Sequence, residues 1–318
     1  MNFSEMVLLS GNANPSLARL IGGHLNRSVG NETVSRFSDD EINVEISANV
    51  RGRDVFIIQS TSRPANDHIM ELLILADACK RSSAGRITAV IPYYGYSRQD
   101  RKVTSRAPIT AKLVADMLSV AGVSRVLTMD LHAGQIQGFF DIPVDNLYAA
   151  GVLCRHIEKN LPLIGEKEIV VVSPDAGGVE RARSYATRLG ANLAIVDKRR
   201  EKANHSEVMH LIGSVEGQIA IIVDDMVDTA GTLTKAAAAV KQQGAVEVYA
   251  CCAHPVLSGP AVERISKSPI KKLFVTDTIQ LTENAAKCDS IEVVSVASLI
   301  GNAIEAIHNN LSISRLFV

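Results

Sequence analysis

The sequence has no tryptophan, and aromatic residues make up only 4% of its 318 positions. That scarcity argues against the stacked aromatic platforms with which many proteins bind single-stranded nucleic acid. The chain also lacks an excess of charge of either sign, because 33 basic residues are balanced by 34 acidic ones. A near-neutral chain gives no support for broad binding to nucleic acid or to a membrane surface.

Cysteine is scarce as well, with five residues and no spacing typical of metal ligands. An odd number of cysteines in a chain of this length indicates reduced thiols. No apolar run approaches the roughly 20 residues of a membrane span, and no basic region opens the chain as in a secretory signal. We therefore expect a cytoplasmic protein that binds neither nucleic acid nor membranes.

Short apolar segments alternate with helical segments along the whole chain, which predicts an α/β fold. We expect two related, doubly wound domains with mainly parallel sheets. The predicted boundary follows residue 147, so that residues 1–147 form one domain and 148–294 the other. The C-terminal segment 295–318 is expected to join the first domain.

The most informative stretch is residues 219–232. Residues 219–223 are apolar and mostly β-branched, as in a strand buried on both faces of a parallel sheet. Asp224 and Asp225 follow, and a polar loop then leads into an Ala/Lys-rich helix expected over 233–243. A loop between a strand and a helix N-terminus binds phosphate through backbone N–H groups, and the paired acids suit the hydroxyls of a sugar.

Two stretches of the first half allow two interpretations each. Residues 36–41 combine Phe37 with three consecutive acids, and they form either a simple hairpin turn or a surface that stacks on a base. Residues 98–106 contain four basic side chains after a buried strand. They form either a solvated basic loop or a cationic lid over a polyphosphate.

Three further features follow predicted strands. His132 lies beside Asp130 at a strand end, as either a structural residue or a contact to metal or phosphate. Asp175 occupies the matching position in the second half, where a carboxylate could hold Mg²⁺. Residues 197–202 are a charge run, which is either a solvated face or a clamp on a transferring phosphoryl group, and residues 201–207 are predicted to form a mobile loop.

The stretch at 223–232 resembles the phosphoribosyl-diphosphate-binding signature of type I phosphoribosyltransferase-fold proteins, with Ala230 followed by Gly231 where two glycines are usual. Taken together, the chain closely resembles the ribose-phosphate diphosphokinase family over nearly its whole length. The motifs that carry the resemblance are residues 37–41, 93–102, 130–140, 173–178, 197–200 and 223–232. It implies transfer of the diphosphoryl group of ATP to ribose 5-phosphate with Mg²⁺, giving AMP and 5-phosphoribosyl 1-diphosphate.

The resemblance also implies roles for individual residues, with the ATP side in the first domain and the ribose 5-phosphate side in the second. ATP would contact Phe37, Asp39, Asp40, Glu41, Arg98, Gln99 and His132. Ribose 5-phosphate would contact Arg200, Asp224, Asp225, Asp228, Thr229, Ala230, Gly231 and Thr232. The metal would contact His132 and Asp175, and the catalytic residues would be Lys198 and Arg200. No general base is assigned.

In the family, phosphate-activated members bind an effector anion at a subunit interface. The resemblance therefore implies that inorganic phosphate activates this protein, and that it assembles as a homo-oligomer, a hexamer built from dimers that share ATP sites. The corresponding anion-site residues are Asn49, Arg51, Arg101, Ser312 and Ser314. Asn49 stands where the family has serine, and the basic loop also departs from the common bacterial pattern, with Val103, Thr104 and Ala107.

Three other functions are less compatible with the sequence. A salvage phosphoribosyltransferase usually lacks elements like residues 37–41 and Arg98-Gln99. A non-catalytic regulatory relative is altered around the catalytic loop, whereas residues 197–200 match the active pattern. A nicotinamide-dependent dehydrogenase would need a Gly-x-Gly-x-x-Gly turn after the first strand, and the sequence does not have one there.

Overall fold

A computed structural model describes residues 5–30, 33–161, 168–199 and 208–316 of the chain. The strands within these ranges are β1 Met6–Ser10, β2 Thr33–Arg36, β3 Ile42–Glu45, β4 Asp54–Ile58, β5 Arg86–Ile91, β6 Arg125–Met129, β7 Val144–Leu147, β8 Ile169–Ser173, β9 Asn192–Arg199, β10 Val208–Ile212, β11 Ile219–Val227, β12 Glu247–Pro255, β13 Ile270–Thr276 and β14 Ile291–Val294. The α-helices are α1 Pro15–His24, α2 Ala65–Arg81, α3 Thr110–Ala121, α4 Ala150–Asn160, α5 Val179–Leu189, α6 Gly231–Gln242, α7 Ala261–Ser266, α8 Glu283–Ala286 and α9 Ala297–His308. Short 3₁₀ helices cover Gly134–Phe139 and Ser314–Leu316.

These elements form two compact units. Unit 1 comprises the described parts of Met1–Tyr148, Thr278–Gln280 and Ser295–Val318. Unit 2 comprises those of Ala149–Asp277 and Leu281–Val294.

Unit 1 is built on a parallel five-stranded sheet with the order β1-β4-β5-β6-β7. Strand β4 is buried along its whole length, and its side chains alternate between the two faces of the sheet. Val55 and Ile57 pack with Leu72 and Leu75 of helix α2 in one apolar cluster. Phe56 therefore points to the opposite face of the sheet. Both faces are covered, as expected for parallel strands in an α/β protein.

An antiparallel hairpin of β2 and β3 is inserted between β1 and β4 of unit 1. It packs against helix α2, while helix α1 packs against the C-terminal helix α9. The last helix of the chain thus belongs to the N-terminal unit. The buried side of this helix carries Ile300, Ile304 and Ile307. An isolated helix would expose these apolar side chains to water, which is unfavourable.

Unit 2 contains a seven-stranded sheet with the order β10-β9-β8-β11-β12-β13-β14. Its strands are parallel except for β10, which pairs antiparallel with β9. The chain moves outward from β8 to β9 and β10, then returns to the other side of β8 as β11. The order therefore reverses between β8 and β11, and open α/β sheets bind ligands at the carboxyl ends of such a pair.

The predicted α/β fold with parallel sheets is confirmed, but several element boundaries were wrong. The strand expected to end at Val223 continues to Val227, because its neighbour β12 continues too and Met226 pairs with His254. Strand β9 extends to Arg199 and pairs antiparallel with β10. The helix expected over 233–243 begins two residues earlier, at Gly231, and ends at Gln242. Among the described residues, no helix is both long enough and apolar enough to cross a membrane.

Candidate functional site

The polar loop after β11 joins that strand to helix α6, which begins at Gly231. The N–H groups of the first turn of an α-helix have no partner within the helix. They are therefore suited to an anion, which the helix dipole also favours. The structure brings Asp228, Thr229, Ala230 and Gly231 together with this helix start, in the arrangement that the sequence predicted for a phosphate site.

The loop is held in place by the segment that follows β12. Leu257 donates its backbone N–H to Val227 O at 2.9 Å, and Ser258 donates to Asp228 O at 2.9 Å. The Ser258 hydroxyl also bonds the Asp228 carboxylate. Arg264 of helix α7 donates to Thr229 O at 2.9 Å. These bonds occupy the carbonyl side of the loop and fix its backbone.

Ala230 stands where the first of two glycines is usual, and its backbone adopts the left-handed conformation with φ 58°. That conformation is unfavourable for residues with a Cβ atom and normally selects glycine. Ala230 thus adopts a conformation for which glycine is better suited. The strained conformation persists because the surrounding hydrogen bonds define the loop, and because the Ala230 methyl is buried in the core of unit 2.

Asp224 and Asp225 lie inside β11 at its carboxyl end, and both are largely buried, with 22% and 5% of their side chains exposed. Burial and the neighbouring Asp225 raise the pKa of Asp224 to about 8, against the opposing effect of Arg181. The Asp224 carboxylate accepts from the backbone N–H of Asp225 at 2.9 Å. Two adjacent buried acids of this kind are suited to hydrogen-bonding hydroxyl groups.

Arg181 was not identified from the sequence. It lies in the first turn of α5, and its guanidinium is 3.3 Å from Asp224 Oδ1 and 3.5 Å from Asp225 Oδ1. The available signal was its position, since α5 follows β8 and β8 is the neighbour of β11 in the sheet. The sequence predicted both strands but not their adjacency.

Asp175 lies on the loop between β8 and α5, at the same edge of the sheet. Its Oδ1 accepts from the backbone N–H of Gly178 at 2.9 Å, and Ser173 Oγ donates to its carbonyl at 2.6 Å. A Cβ atom on Gly178 would lie 2.9 Å from Ser173 Oγ, so any larger residue there would have to displace that hydroxyl. The exposed carboxylate of Asp175 is an oxygen ligand of the kind that Mg²⁺ prefers.

In unit 1, the residues predicted to bind a nucleotide lie at the carboxyl ends of β5 and β6, which are neighbours in the sheet. Arg98, Gln99 and His132 are all exposed there. Gln99 Oε1 accepts from the Thr110 hydroxyl at 2.5 Å, and Gln135 donates to Asp100 at 3.0 Å. The second bond joins the basic loop to the loop after β6, so the two stretches form one surface.

The loop after β5 also makes a close backbone contact. Gly95 donates its N–H to the Thr61 hydroxyl at 2.6 Å, and a Cβ atom on Gly95 would lie 2.2 Å from Thr61 O. Glycine is therefore required where the chain turns from the buried strand into the basic loop.

Residues 37–41 form the turn of the β2–β3 hairpin, so the hairpin interpretation describes their backbone. Phe37 is 55% exposed, and Glu41 N bonds Asp39 Oδ1 at 3.3 Å. The hairpin is fastened to the rest of unit 1 by an ion pair between Arg36 and Asp67, and by Asn12 Nδ2, which donates to Val34 O at 3.0 Å. The hairpin therefore holds the Phe37 ring exposed on a fixed support, in a position that allows contact with a base.

The candidate anion residues form two local pairs. Asn49 Oδ1 accepts from the Arg51 backbone N–H at 3.1 Å, and Ser312 Oγ bonds Ser314 Oγ at 3.0 Å. Within the described residues no hydrogen bond or ion pair links one pair to the other. Arg101 is exposed on the basic loop.

Two predictions cannot be placed. Arg200 and the side chain of Lys198 lie outside the described part of the structure, as do residues 201–207 of the predicted mobile loop. Within the described ranges, no three or more His, Cys, Asp or Glu side chains are grouped as a preformed metal site. Asp175 still fits Mg²⁺, which keeps several waters and binds through few protein carboxylates together with substrate phosphates.

Parallel sheets with polar loops at their carboxyl edges, one of them leading into a helix N-terminus, define a doubly wound α/β protein of the class that binds phosphorylated ligands. Two family profiles match the chain. The N-terminal domain of ribose phosphate pyrophosphokinase matches residues 6–122. The phosphoribosyl synthetase-associated domain matches residues 199–318.

Individual relatives agree with these matches. A ribose-phosphate pyrophosphokinase of Marinomonas sp. (strain MWYL1) is 55% identical over 316 residues, covering 99% of each chain. One of Bordetella pertussis is 57% identical over 312 residues, covering 98% of this chain and 99% of the relative. The crystal structure of phosphoribosylpyrophosphate synthetase from Mycobacterium smegmatis has a TM-score of 0.91 at 40% identity, covering 96% of this chain and 100% of that one. The chain belongs to the ribose-phosphate pyrophosphokinase family, so the predicted resemblance is confirmed.

Proposed function

We propose that the protein transfers the diphosphoryl group of ATP to the 1-hydroxyl of ribose 5-phosphate, giving AMP and 5-phospho-α-D-ribose 1-diphosphate. Such a product supplies nucleotide, histidine and tryptophan biosynthesis. The observation that carries this proposal is the polar loop between β11 and α6, with two buried acids immediately before it at the switch point of the sheet. One end of that arrangement suits a phosphate and the other suits sugar hydroxyls.

Ribose 5-phosphate is placed with its phosphate on the helix start and its hydroxyls at the acids. The phosphate accepts hydrogen bonds from the N–H groups of the α6 first turn and from the hydroxyls of Thr229 and Thr232. Asp224 and Asp225 accept from the vicinal hydroxyls, which orients the ring. Arg200 adds positive charge toward the same substrate.

ATP is assigned to the exposed edge residues of unit 1. Phe37 stacks on the adenine, the acids Asp39, Asp40 and Glu41 accept from the amine and the ribose, and Arg98, Gln99 and His132 bind the phosphates. Asp175 and His132 belong to the Mg²⁺ sites. When bound, Mg²⁺ neutralises charge on the triphosphate and aligns it for displacement.

In the reaction the 1-hydroxyl oxygen of the sugar forms a bond to the β-phosphorus. The bond from that phosphorus to the oxygen shared with the α-phosphate breaks, AMP leaves with the electron pair, and the hydroxyl proton passes to solvent. Positioning and charge neutralisation are the main requirements of such a transfer. Lys198 and Arg200 provide positive charge for the oxygens on which negative charge accumulates.

We further propose a cytoplasmic homo-oligomer, a hexamer built from dimers in which ATP sites are shared between subunits. Inorganic phosphate activates it by binding at Asn49, Arg51, Arg101, Ser312 and Ser314. The support is family membership together with the exposed positions of these residues in unit 1. Among the described residues, no bond links the pair of Asn49 and Arg51 to the pair of Ser312 and Ser314. This agrees with an anion site that a second subunit completes.

The test is separation of nucleotide products by chromatography after incubation with ATP, ribose 5-phosphate and Mg²⁺, with and without inorganic phosphate. AMP is expected, in amounts that increase with phosphate, and formation of ADP would contradict the proposal. Lys198→Ala is expected to lower turnover by about 10²- to 10³-fold, as does loss of one preorganised charge-stabilising donor. Lys287→Ala, at a lysine with 73% of its side chain exposed in the same unit, serves as the control and is expected to match the wild type.

A further inference from the structure

Arg181 of unit 2 contacts two residues of the proposed ribose 5-phosphate site and has not been given a role in it. Its two terminal nitrogens lie 3.3 Å from Asp224 and 3.5 Å from Asp225, so one guanidinium spans both acids. A planar guanidinium presents its donors in a fixed fork, which a lysine ammonium does not. The contact therefore restricts both carboxylates in orientation as well as in charge.

The backbone at the start of α5, which carries Arg181, is fixed by the loop that contains Asp175. Gly178 donates to Asp175 Oδ1 at 2.9 Å, and Ala182 N donates to Gly178 O at 2.9 Å. Ala182 and Tyr185 are buried on the inner side of α5. The start of the helix, and with it Arg181, is therefore held by the same turn as the candidate metal residue.

The charge balance shows why a cation is needed at this position. Asp224 and Asp225 are neighbouring acids in a largely buried strand end, and both burial and mutual repulsion favour protonation. Arg181 opposes these effects. The titratable and charged groups that interact with the acids include Arg181 from α5 and Cys252 from β12, whose buried thiol interacts with both acids. His254 pairs with Met226 near the end of β12.

We propose that Arg181 is a positioning residue of the ribose 5-phosphate site, where its forked guanidinium holds Asp224 and Asp225 as an oriented pair of acceptors for two neighbouring sugar hydroxyls. This inference rests on the proposed function. Its consequence is that loss of the guanidinium weakens binding of the sugar phosphate and leaves binding of ATP unchanged. A second consequence is that the acids retain a proton to higher pH, since the charge that favours their ionised form is gone.

The experiment compares Arg181→Met with Arg183→Met, which removes an exposed arginine from the same helix. Calorimetric titration with ribose 5-phosphate across pH 6–9 and steady-state AMP formation are measured on the full chain. For Arg181→Met we expect affinity for ribose 5-phosphate to fall about 10- to 100-fold, as for loss of a charge-assisted contact. The KM for ATP is expected to stay within about twofold, and the acidic limb of sugar phosphate binding to move to higher pH. Arg183→Met is expected to match the wild type.

Arg181→Lys keeps the charge without the fork, and it also covers the case in which the methionine variant fails to fold. We expect it to restore the pH profile and only part of the affinity. If the wild type binds ribose 5-phosphate and Arg181→Met or Arg181→Lys behaves as Arg183→Met at every pH, the inference is overturned and the proposed function stands. If the wild type neither binds ribose 5-phosphate nor forms AMP, the proposed function fails and the inference fails with it.

Discussion

The contact between the start of β4 and the C-terminal helix gives a strong test of what stabilises unit 1. Asp54 is fully buried, and its carboxylate accepts from Arg86 Nε at 2.8 Å and from a terminal nitrogen of Arg86 at 2.5 Å. His308 Nδ1 lies 2.8 Å from the same carboxylate. Arg86 also donates to Ile307 O at 2.9 Å. One acid therefore joins the central sheet to helix α9.

Replacing Asp54 by Asn keeps the shape of the side chain but leaves the Arg86 charge without its anion. Breaking a buried ion pair in this way costs about 3–5 kcal/mol. The pair of Arg81 and Asp77, one helical turn apart, is exposed and is screened by water, so it contributes little to stability. At about 2–4 °C per kcal/mol for a unit of this size, Asp54→Asn lowers the unfolding temperature by about 6–20 °C, whereas Asp77→Asn is expected to have a much smaller effect.

The assay is thermal unfolding followed by calorimetry, with hydrogen exchange of the α9 amides measured below the transition. Asp54→Asn is expected to accelerate exchange in α9 because the polar contacts of Ile307 and His308 depend on Arg86 and Asp54. Equal temperature shifts for the two variants would refute the reasoning, as would unchanged protection of α9 in Asp54→Asn.

Three further outcomes follow from the site geometry. Gly95→Ala forces the loop away from Thr61 O, so ATP binding measured by calorimetry should be lost while ribose 5-phosphate binding persists. The control is Gly138→Ala, which has no atom near the added methyl and should bind both substrates. Retained ATP binding in Gly95→Ala would count against the geometry. Ala230→Gly accepts the left-handed backbone without strain and should keep turnover within about twofold. The β-branched side chain of Ala230→Val disfavours that backbone, so this variant should lose turnover. An active valine variant would disprove that turnover requires the left-handed conformation at this position. Because the pKa of Asp224 is raised from 3.8 to about 8, the folded state binds this proton more tightly than the unfolded state, and that stabilising contribution is lost as pH rises through this range. Asp224→Asn should therefore unfold at a higher temperature than the wild type at pH 9 and show a weaker pH dependence, and a lower midpoint there would contradict the assignment.

Much of the fold was predictable because buried parallel strands are recognisable as short apolar runs. The run at 219–223 located β11, and the alternation of strands and helices gave the α/β class. The end of β11 was not predictable, since Asp224 and Asp225 are polar and their place in the strand depends on pairing with β12. Strand β10 was missed for the same reason, because its pairing with β9 is a long-range contact.

The candidate site was predictable where a motif is continuous in sequence and not where it is assembled in space. Asp228 and Gly231 belong to one loop and were identified together. Arg181 lies 43 residues from Asp224 along the chain, and only the neighbouring places of β8 and β11 bring them together. The support of Phe37 was likewise hidden, because Asn12 fastens the hairpin from a loop distant in sequence.

The membership of helix α9 in unit 1 has a consequence for synthesis on the ribosome. His308 lies 254 residues after its partner Asp54, and at about 5–20 residues per second that interval takes about 13–50 s. Throughout it, the nascent N-terminal unit lacks the helix that covers α1 and contacts Arg86. The elements of unit 2 emerge before that helix, so the second unit to be started is the first that can be completed.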